Sequence, residues 1–130
     1  MIIKKKNKYF ILSFFISLGL TAPNLADQEK ALHHFMQGEF LMNEGNYALA
    51  ILEFQDAIEI DPNAATIHVS ISDAYRRLGK LKRVEQHLKI ALELNPDEIE
   101  ALEMLGQLYI NQKRFVDATN IFKKLNLSYP

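Results

Sequence analysis

A period of 34 residues constrains the fold of this 130-residue chain more than any other feature. Pro62, Pro96 and Pro130 are each 34 residues apart, and small or large apolar residues recur at the same interval. The sets in this register are Gly38, Ser72, Gly106; Leu41, Tyr75, Tyr109; Tyr47, Leu81, Phe115; Ala50, Val84, Ala118; Phe54, Leu88, Phe122; and Ala57, Ala91, Leu125. A period of this length is typical of proteins built from stacked repeats, in which each unit contacts only its neighbours.

Each repeat has the pattern of two helices joined by a short turn. Apolar residues recur every three or four positions on both sides of residues 43–46, as they do along one face of a helix. Gly45 and Gly79 stand where a helix ends in the left-handed conformation, and Lys113 replaces them in the third repeat. The pattern predicts helices at 28–42, 47–60, 63–77, 81–94, 97–111 and 115–127.

Two local features refine these helices. Asp61 and Asn95 each precede a proline, which predicts that they cap the third and fifth helices. Gly38 and Gly106 on first helices, with Ala50 on a second helix, allow neighbouring helix backbones to approach closely. The predicted fold is therefore an all-α solenoid.

The first 26 residues have the pattern of a targeting segment. Four lysines among residues 4–8 precede 12 almost wholly apolar residues, 9–20, and Pro23 follows. As a helix, residues 9–20 would span roughly 18 Å, well short of the ~30 Å hydrocarbon layer. The pattern predicts a signal peptide, 1–26, cleaved after Ala26, and an exported protein, periplasmic or secreted, with no membrane insertion after cleavage. The alternative is an uncleaved segment that tethers the protein to the membrane.

The residues in the 34-residue register resemble the tetratricopeptide repeat, as three units at 31–64, 65–98 and 99–130. The resemblance implies a right-handed α-solenoid whose concave groove binds a protein or peptide segment. By this resemblance the groove is lined by Leu32, Phe35, Glu39, Met42, Asn43, Thr66, Val69, Asp73, Arg76, Arg77, Glu100, Glu103, Gln107, Ile110 and Asn111.

The resemblance also bears on the kind of ligand. Family members that bind a C-terminal carboxylate have Lys and Asn where this chain has Phe35 and Glu39, which disfavours a ligand of that kind. Arg76 and Arg77 remain candidates for binding an acidic group.

Charge is unevenly distributed along the chain. The net charge is −1, and because residues 1–26 hold four lysines and no acid, the remainder carries −5. Residues 31–64 contain six acids and neither Lys nor Arg. This balance argues against a nucleic-acid partner, which requires a concentrated basic surface. For the acidic first repeat three interpretations stay open: a solvated face that keeps the protein soluble, head-to-tail stacking of the solenoid, and attraction of a basic partner.

No catalytic site, cofactor or metal site is predicted. Cysteine is absent, no serine lies in a nucleophile turn, and the glycines are too dispersed for a phosphate-binding loop. His34 and His68 are one repeat apart, and the register predicts that they face similar surroundings on adjacent first helices, which leaves a stacked imidazole pair open as an alternative. Only His33 or Glu39 would add ligands to such a pair, so metal binding by the histidines is a minor alternative.

The sequence therefore predicts a non-enzymatic adaptor or assembly factor of the cell envelope. Two alternatives stay open. Phe115, Phe122 and Leu125 would be partly uncovered at the end of the third repeat, so a second copy of the chain could cover them and form a homo-oligomer. The chain could also be a fragment of a longer repeat array.

Overall fold

The computed structural model describes residues 23–128, which form six α-helices and no strand. The helices are α1 (Leu25–Asn43), α2 (Tyr47–Ile60), α3 (Ala65–Arg77), α4 (Leu81–Leu94), α5 (Ile99–Asn111) and α6 (Phe115–Ser128). They pack as the successive pairs α1–α2, α3–α4 and α5–α6, and each pair also contacts the next. No helix in the described range is long and apolar enough to cross a membrane. The predicted all-α repeat solenoid is confirmed.

The predicted signal peptide lies almost wholly outside the described residues, as does Pro130. Helix α1 begins at Leu25, three residues earlier than predicted, because the Oδ1 atom of Asn24 accepts a hydrogen bond of 2.9 Å from the backbone N–H of Asp27. The predicted cleavage after Ala26 would remove this cap together with the first two residues of α1.

The turn within each helix pair has the same backbone in all three pairs. Gly45, Gly79 and Lys113 have φ angles of 76°, 69° and 59°, as the sequence register predicted. In each turn the following residue donates its N–H to a carbonyl five residues back, at 2.9, 2.9 and 2.8 Å. Lys113 is therefore held in a conformation that glycine adopts more readily.

The turns between the pairs differ from the prediction. Asp61 and Asn95 do not cap helices; α3 and α5 begin after Ala64 and Glu98, whose side chains make no capping bond. Instead, Oδ1 of Asp61 accepts from the N–H of Asn63 at 3.3 Å, and Oδ1 of Asn95 accepts from the N–H of Asp97 at 3.2 Å. These bonds form Asx turns, which hold the residues after each proline outside the helix and shorten α3 and α5 by two residues.

Close packing within the first and third pairs depends on glycine. A β-carbon added at Gly106 would lie 2.6 Å from Cζ of Phe122, and one at Gly38 would overlap the ring of Phe54. At the same register the second pair has Ser72 and Leu88, both fully buried, and Ser72 donates its hydroxyl to the carbonyl of Val69 at 2.7 Å. The predicted role of small residues is thus found within each pair.

Helix α3 is the most central element of the core. It contributes seven buried residues, against two from α1. Ile67, Ile71 and Ala74 pack with α2 in one apolar cluster. Ala65 and Val69 pack in a second cluster that continues through α4, α5 and α6. Because α3 belongs to both clusters, it joins the first pair to the rest of the solenoid.

Hydrogen bonds and ion pairs connect α4 to the third helix pair. Glu85 accepts hydrogen bonds from the hydroxyl of Tyr109 at 3.0 Å and from Arg114 at 2.9 Å, and it pairs with Lys89 at 2.7 Å. The guanidinium of Arg114 also lies 4.1 Å from the ring centre of Tyr109. Burial alone would raise the pKa of Glu85, but the hydrogen bonds from Lys89, Arg114 and Tyr109 outweigh it and lower that pKa.

Candidate functional site

A cavity of about 580 Å³ lies between α3, the start of α4 and α5. Its lining residues are Asp73, Arg76, Leu81, Val84, Glu100, Glu103, Met104, Gln107, Leu108 and Asn111. We call this space the groove cavity. It brings together six residues that the resemblance assigned to the groove: Asp73, Arg76, Glu100, Glu103, Gln107 and Asn111.

Two arginines at the end of α3 are already paired with an acid. Arg76 donates from Nε to Oδ1 of Asp73 at 2.8 Å and makes a second, shorter contact through its terminal nitrogen. Arg77 lies 3.7 Å from the other oxygen of Asp73, and its guanidinium is 5.9 Å from the ring centre of Tyr47. This pairing weakens the sequence-based case for an acidic ligand at Arg76 and Arg77, because Asp73 neutralises part of their charge.

Carboxylates from three first helices converge beside the groove cavity. The pKa of Glu100 is raised, first by burial and then by the negative charges of Glu98, Asp73, Glu39 and Glu103. Glu39 belongs to α1, Asp73 to α3, and Glu100 and Glu103 to α5. The lining of the groove cavity has three carboxylates and one guanidinium, so its net charge is negative and an added positive charge would be stabilised there.

The remaining predicted groove residues occupy different surroundings. Val69 is only 3% exposed and lies in the core, so its assignment to the groove surface is corrected. Phe35 packs against Phe54 with ring centres 5.9 Å apart, and it lines a second cavity of about 390 Å³ at the start of α1 and α3. Leu32 and Thr66 line the same second cavity.

Besides the buried Val69, five predicted groove residues line neither cavity: Glu39, Met42, Asn43, Arg77 and Ile110. Glu39 and Met42 are half-buried, whereas Asn43, Arg77 and Ile110 are exposed. The predicted groove residues are thus distributed among the groove cavity, the second cavity, the surrounding surface and, for Val69, the core.

Sequence reasoning missed the apolar floor of the groove cavity. Leu81 and Val84 of α4, with Met104 and Leu108 of α5, supply this floor. Leu81 and Val84 lie in the 34-residue register, where their apolar character is explained by repeat packing. Nothing in the sequence indicates that Leu81 and Val84, besides packing between helices, also line a cavity.

The stacked histidine pair that the sequence left open does not form between the described residues His34 and His68. His34 and His68 do not stack on each other; each faces the second helix of its own pair. His34 contacts Glu53 on α2, and His68 contacts His87 on α4, with Nδ1 atoms 3.1 Å apart and rings stacked at 5.4 Å. Both contacts span 19 residues, so they occupy one register position of the repeat.

The described helices stack as three successive pairs, an arrangement that defines the class of helical-repeat proteins. Two family models, both described as tetratricopeptide repeat, match residues 33–64 and 70–125. Together these matches cover more than half of the chain. The chain belongs to the tetratricopeptide repeat family.

Comparison with curated proteins gives matches to parts of much longer chains. The chain is 28% identical over 111 residues to tetratricopeptide repeat protein 16 of Homo sapiens, covering 80% of this chain and 12% of that protein. It is 30% identical over 105 residues to DnaJ homolog subfamily C member 3 of Rattus norvegicus, covering 81% of this chain and 20% of that protein. The chain therefore spans between about an eighth and a fifth of these relatives.

Solved structures share the fold at low sequence identity. The first TPR domain of Spaghetti (RPAP3), bound to the HSP90 peptide SRMEEVD, has a TM-score of 0.74 and 22% identity, over 79% of this chain and 82% of that one. MamA has a TM-score of 0.74 and 19% identity, over 76% and 58%. The TPR2B domain of yeast Sti1, in complex with an Hsp70 peptide, has a TM-score of 0.73 and 16% identity, over 77% and 80%.

Proposed function

We propose that this chain is an exported interaction module that binds a basic segment of a partner protein in the groove cavity. The observation that carries the proposal is that Glu100 and Glu103 line one cavity, with Glu39 close enough to raise the pKa of Glu100. The one basic residue of that lining, Arg76, is already paired with Asp73. A Lys or Arg of the partner would relieve the repulsion among these carboxylates. The apolar floor beside them would hold an adjacent Leu or Ile side chain.

The structural neighbours support a peptide ligand but differ from this chain in charge. One neighbour is bound to the peptide SRMEEVD, which has three acidic residues before and at its C-terminus. In this chain such a peptide would meet Glu100 and Glu103, whereas Arg76 is already paired with Asp73. We therefore expect the preferred ligand to have the opposite charge.

A peptide-binding measurement tests the proposal. Fluorescence anisotropy compares a labelled peptide of alternating Leu and Lys with the peptide of the same length in which Glu replaces Lys, and with SRMEEVD. We expect binding of the basic peptide only, weaker at higher salt and as the pH falls into the range where Glu100 becomes protonated. Equal or tighter binding of either acidic peptide would overturn the proposal.

A charge-matched pair of variants locates the site. Glu100→Gln with Glu103→Gln removes two negative charges from the groove cavity, and we expect at least about ten-fold weaker binding of the basic peptide. The control, Glu59→Gln with Glu93→Gln, removes two charges from exposed positions outside the groove cavity. An equal loss in the control would indicate a general charge effect and no specific groove site.

Export is the second part of the proposal and rests on the pattern of residues 1–26. It is tested by fractionating the producing cells and sequencing the N-terminus of the protein. We expect a chain that begins at Asp27 outside the cytoplasm. An intact chain that stays in the cytoplasm would contradict export while leaving the groove proposal standing.

Self-association is a second candidate function, favoured by apolar side chains at both ends of the described solenoid. On α6, Phe115 is 62% and Val116 is 77% exposed, while on α1, Met36 and Phe40 are 62% and 57% exposed. Phe122 and Leu125, which the sequence also placed at this end, are half-buried. Sedimentation velocity across a hundred-fold concentration range separates the two functions, because a strict monomer contradicts self-association.

A further inference from the structure

Three metal-ligating side chains converge between α1 and α2, away from the groove cavity. The Nδ1 atom of His34 lies 2.8 Å from Oε2 of Glu53 and 4.0 Å from Oδ2 of Asp56. One ligand atom from each residue lies within 4.8 Å of the other two. Glu53 and Asp56 are three residues apart on α2, so both carboxylates reach the same side of that helix.

These distances suit a small divalent ion. Bonds of 2.0–2.2 Å to nitrogen and oxygen place the ligand atoms of a tetrahedral zinc ion about 3.3 Å apart. The distances of 2.8 and 4.0 Å lie on either side of that value, so small side-chain rotations would bring the three atoms to it. The packing of Phe54 against Gly38 fixes the spacing of the two helices that carry the ligands.

The surroundings favour a cation. Among the described residues, His34 is the only basic group within 4.0 Å of either Glu53 or Asp56. Residues 31–64 contain six acids and no Lys or Arg, so no fixed positive charge in this repeat competes with an ion. The side chains of His34, Glu53 and Asp56 are 32%, 30% and 55% exposed, which lets an ion enter from solvent and keep a bound water.

We propose that His34, Glu53 and Asp56 form a binding site for a zinc-like divalent cation, with water completing the coordination. The sequence predicted no metal site, because it offered only His33 or Glu39 as further ligands; the structure supplies ligands from the opposite helix. The same register position holds His68 and His87 in the second pair, and the aliphatic residues Leu102 and Ile121 in the third. The second and third pairs have no carboxylate at the positions of Glu53 and Asp56, so the site is peculiar to the first repeat, where the ion would join α1 to α2.

Calorimetric titration of the purified full chain with Zn²⁺ tests the proposal. We expect one ion per chain, weaker binding at acid pH, and a zinc-dependent rise in the midpoint of thermal unfolding. His34→Ala should weaken binding by at least about ten-fold and reduce the rise in midpoint at the same zinc concentration. Glu53→Gln and Asp56→Asn keep the side-chain shape and should each weaken binding, so the test does not depend on the folding of one variant.

Two histidine variants serve as matched controls. His33→Ala removes the neighbouring exposed imidazole, and His87→Ala breaks the other histidine contact. We expect both to bind Zn²⁺ as the unchanged protein does. Absence of saturable binding, or an equal loss in either control, would overturn the proposal, and neither result would alter the groove proposal.

Discussion

At the scale of single residues, the repeat register fixes pairs of side chains whose sizes match. Gly38 and Gly106 are opposite the rings of Phe54 and Phe122. A larger residue on one helix therefore requires a smaller one on the other. The effect of a substitution on stability depends mainly on the size of the opposite side chain.

Substitution of Gly106 tests this matching. Gly106→Ser places a β-carbon 2.6 Å from Cζ of Phe122, and we expect a loss of about 1–3 kcal/mol in the free energy of unfolding. Adding Phe122→Leu reproduces the Ser and Leu of the second pair and should restore part of the loss. Urea unfolding of both single variants and the double variant measures the coupling. Simple additivity of the two losses would contradict the pairing.

We expect the burial of His68 and His87 to make the stability of the solenoid depend on pH. Burial, then the charges of His68 and Arg83, lower the pKa of His87 from 6.5 to about 4, and burial also lowers the pKa of His68. Between the unfolded pKa of 6.5 and the folded pKa of about 4, the unfolded chain binds a proton at His87 that the folded chain does not. The free energy of unfolding therefore falls as the pH is lowered through this range.

We expect urea unfolding to show this loss on going from pH 7.5 to pH 5. The variant His68→Leu with His87→Ile copies the third pair, which holds Leu102 and Ile121, and should lose less stability over the same interval. The difference between the two proteins isolates the imidazoles from the carboxylates that titrate at lower pH. An identical pH dependence in both proteins would show that the pair does not control it.

At the scale of elements, the turns within the helix pairs share one backbone although their residues differ. Lys113, at φ 59°, adopts the left-handed conformation of Gly45 and Gly79, and its neighbours make equivalent hydrogen bonds. The packing of α5 against α6 therefore imposes a conformation that the local sequence disfavours.

Replacement of Lys113 by glycine measures the free-energy cost of the left-handed conformation at this position. Lys113→Gly should raise the free energy of unfolding by up to about 1 kcal/mol, because glycine adopts positive φ without steric conflict. Lys123→Gly, within α6, should lower it by about 1 kcal/mol through the weaker helix propensity of glycine. Thermal unfolding distinguishes the two. A loss at both positions would mean that the greater entropy of the unfolded glycine chain outweighs the relief of strain.

The elements also show where sequence reasoning succeeds and where it stops. The bounds of α2 and α4 are as predicted. Each of these helices has a clear apolar periodicity and is preceded and followed by turn residues. The caps at Asp61 and Asn95 were wrong, because the same side chain forms an Asx turn or a helix cap and only tertiary packing decides between them.

The candidate sites show the same division. The resemblance located six residues of the groove cavity, yet it placed the buried Val69 at the surface and missed the floor formed by Leu81 and Val84. The contact of His34 with Glu53 spans 19 residues and two helices. Periodicity assigns residues to faces of one helix, whereas such a contact depends on how two helices are rotated against each other.

At the scale of the whole molecule, stability depends on the central helix α3. It contributes to both apolar clusters, whereas α1 and α6 each form one outer side of the described solenoid. In a repeat protein, contacts run mainly between neighbours, so the outermost helices open at a lower free energy than the centre. Exposed Phe115 and Val116 leave α6 with less burial than α3 has.

Hydrogen exchange measured by mass spectrometry tests this gradient. We expect the amides of α3 to exchange slowest, and those of the first turns of α1 and of α6 to exchange fastest. Ile71→Ala removes a fully buried side chain from α3 and should accelerate exchange in all six helices, whereas Val116→Ala should affect α6 alone. An exchange rate in α6 that falls as the protein concentration rises would instead mean that a second copy covers this helix. This result would support self-association. Slow exchange in α6 at every concentration would contradict the gradient, because the exposed outer helix would then be as stable as the helix that joins both clusters.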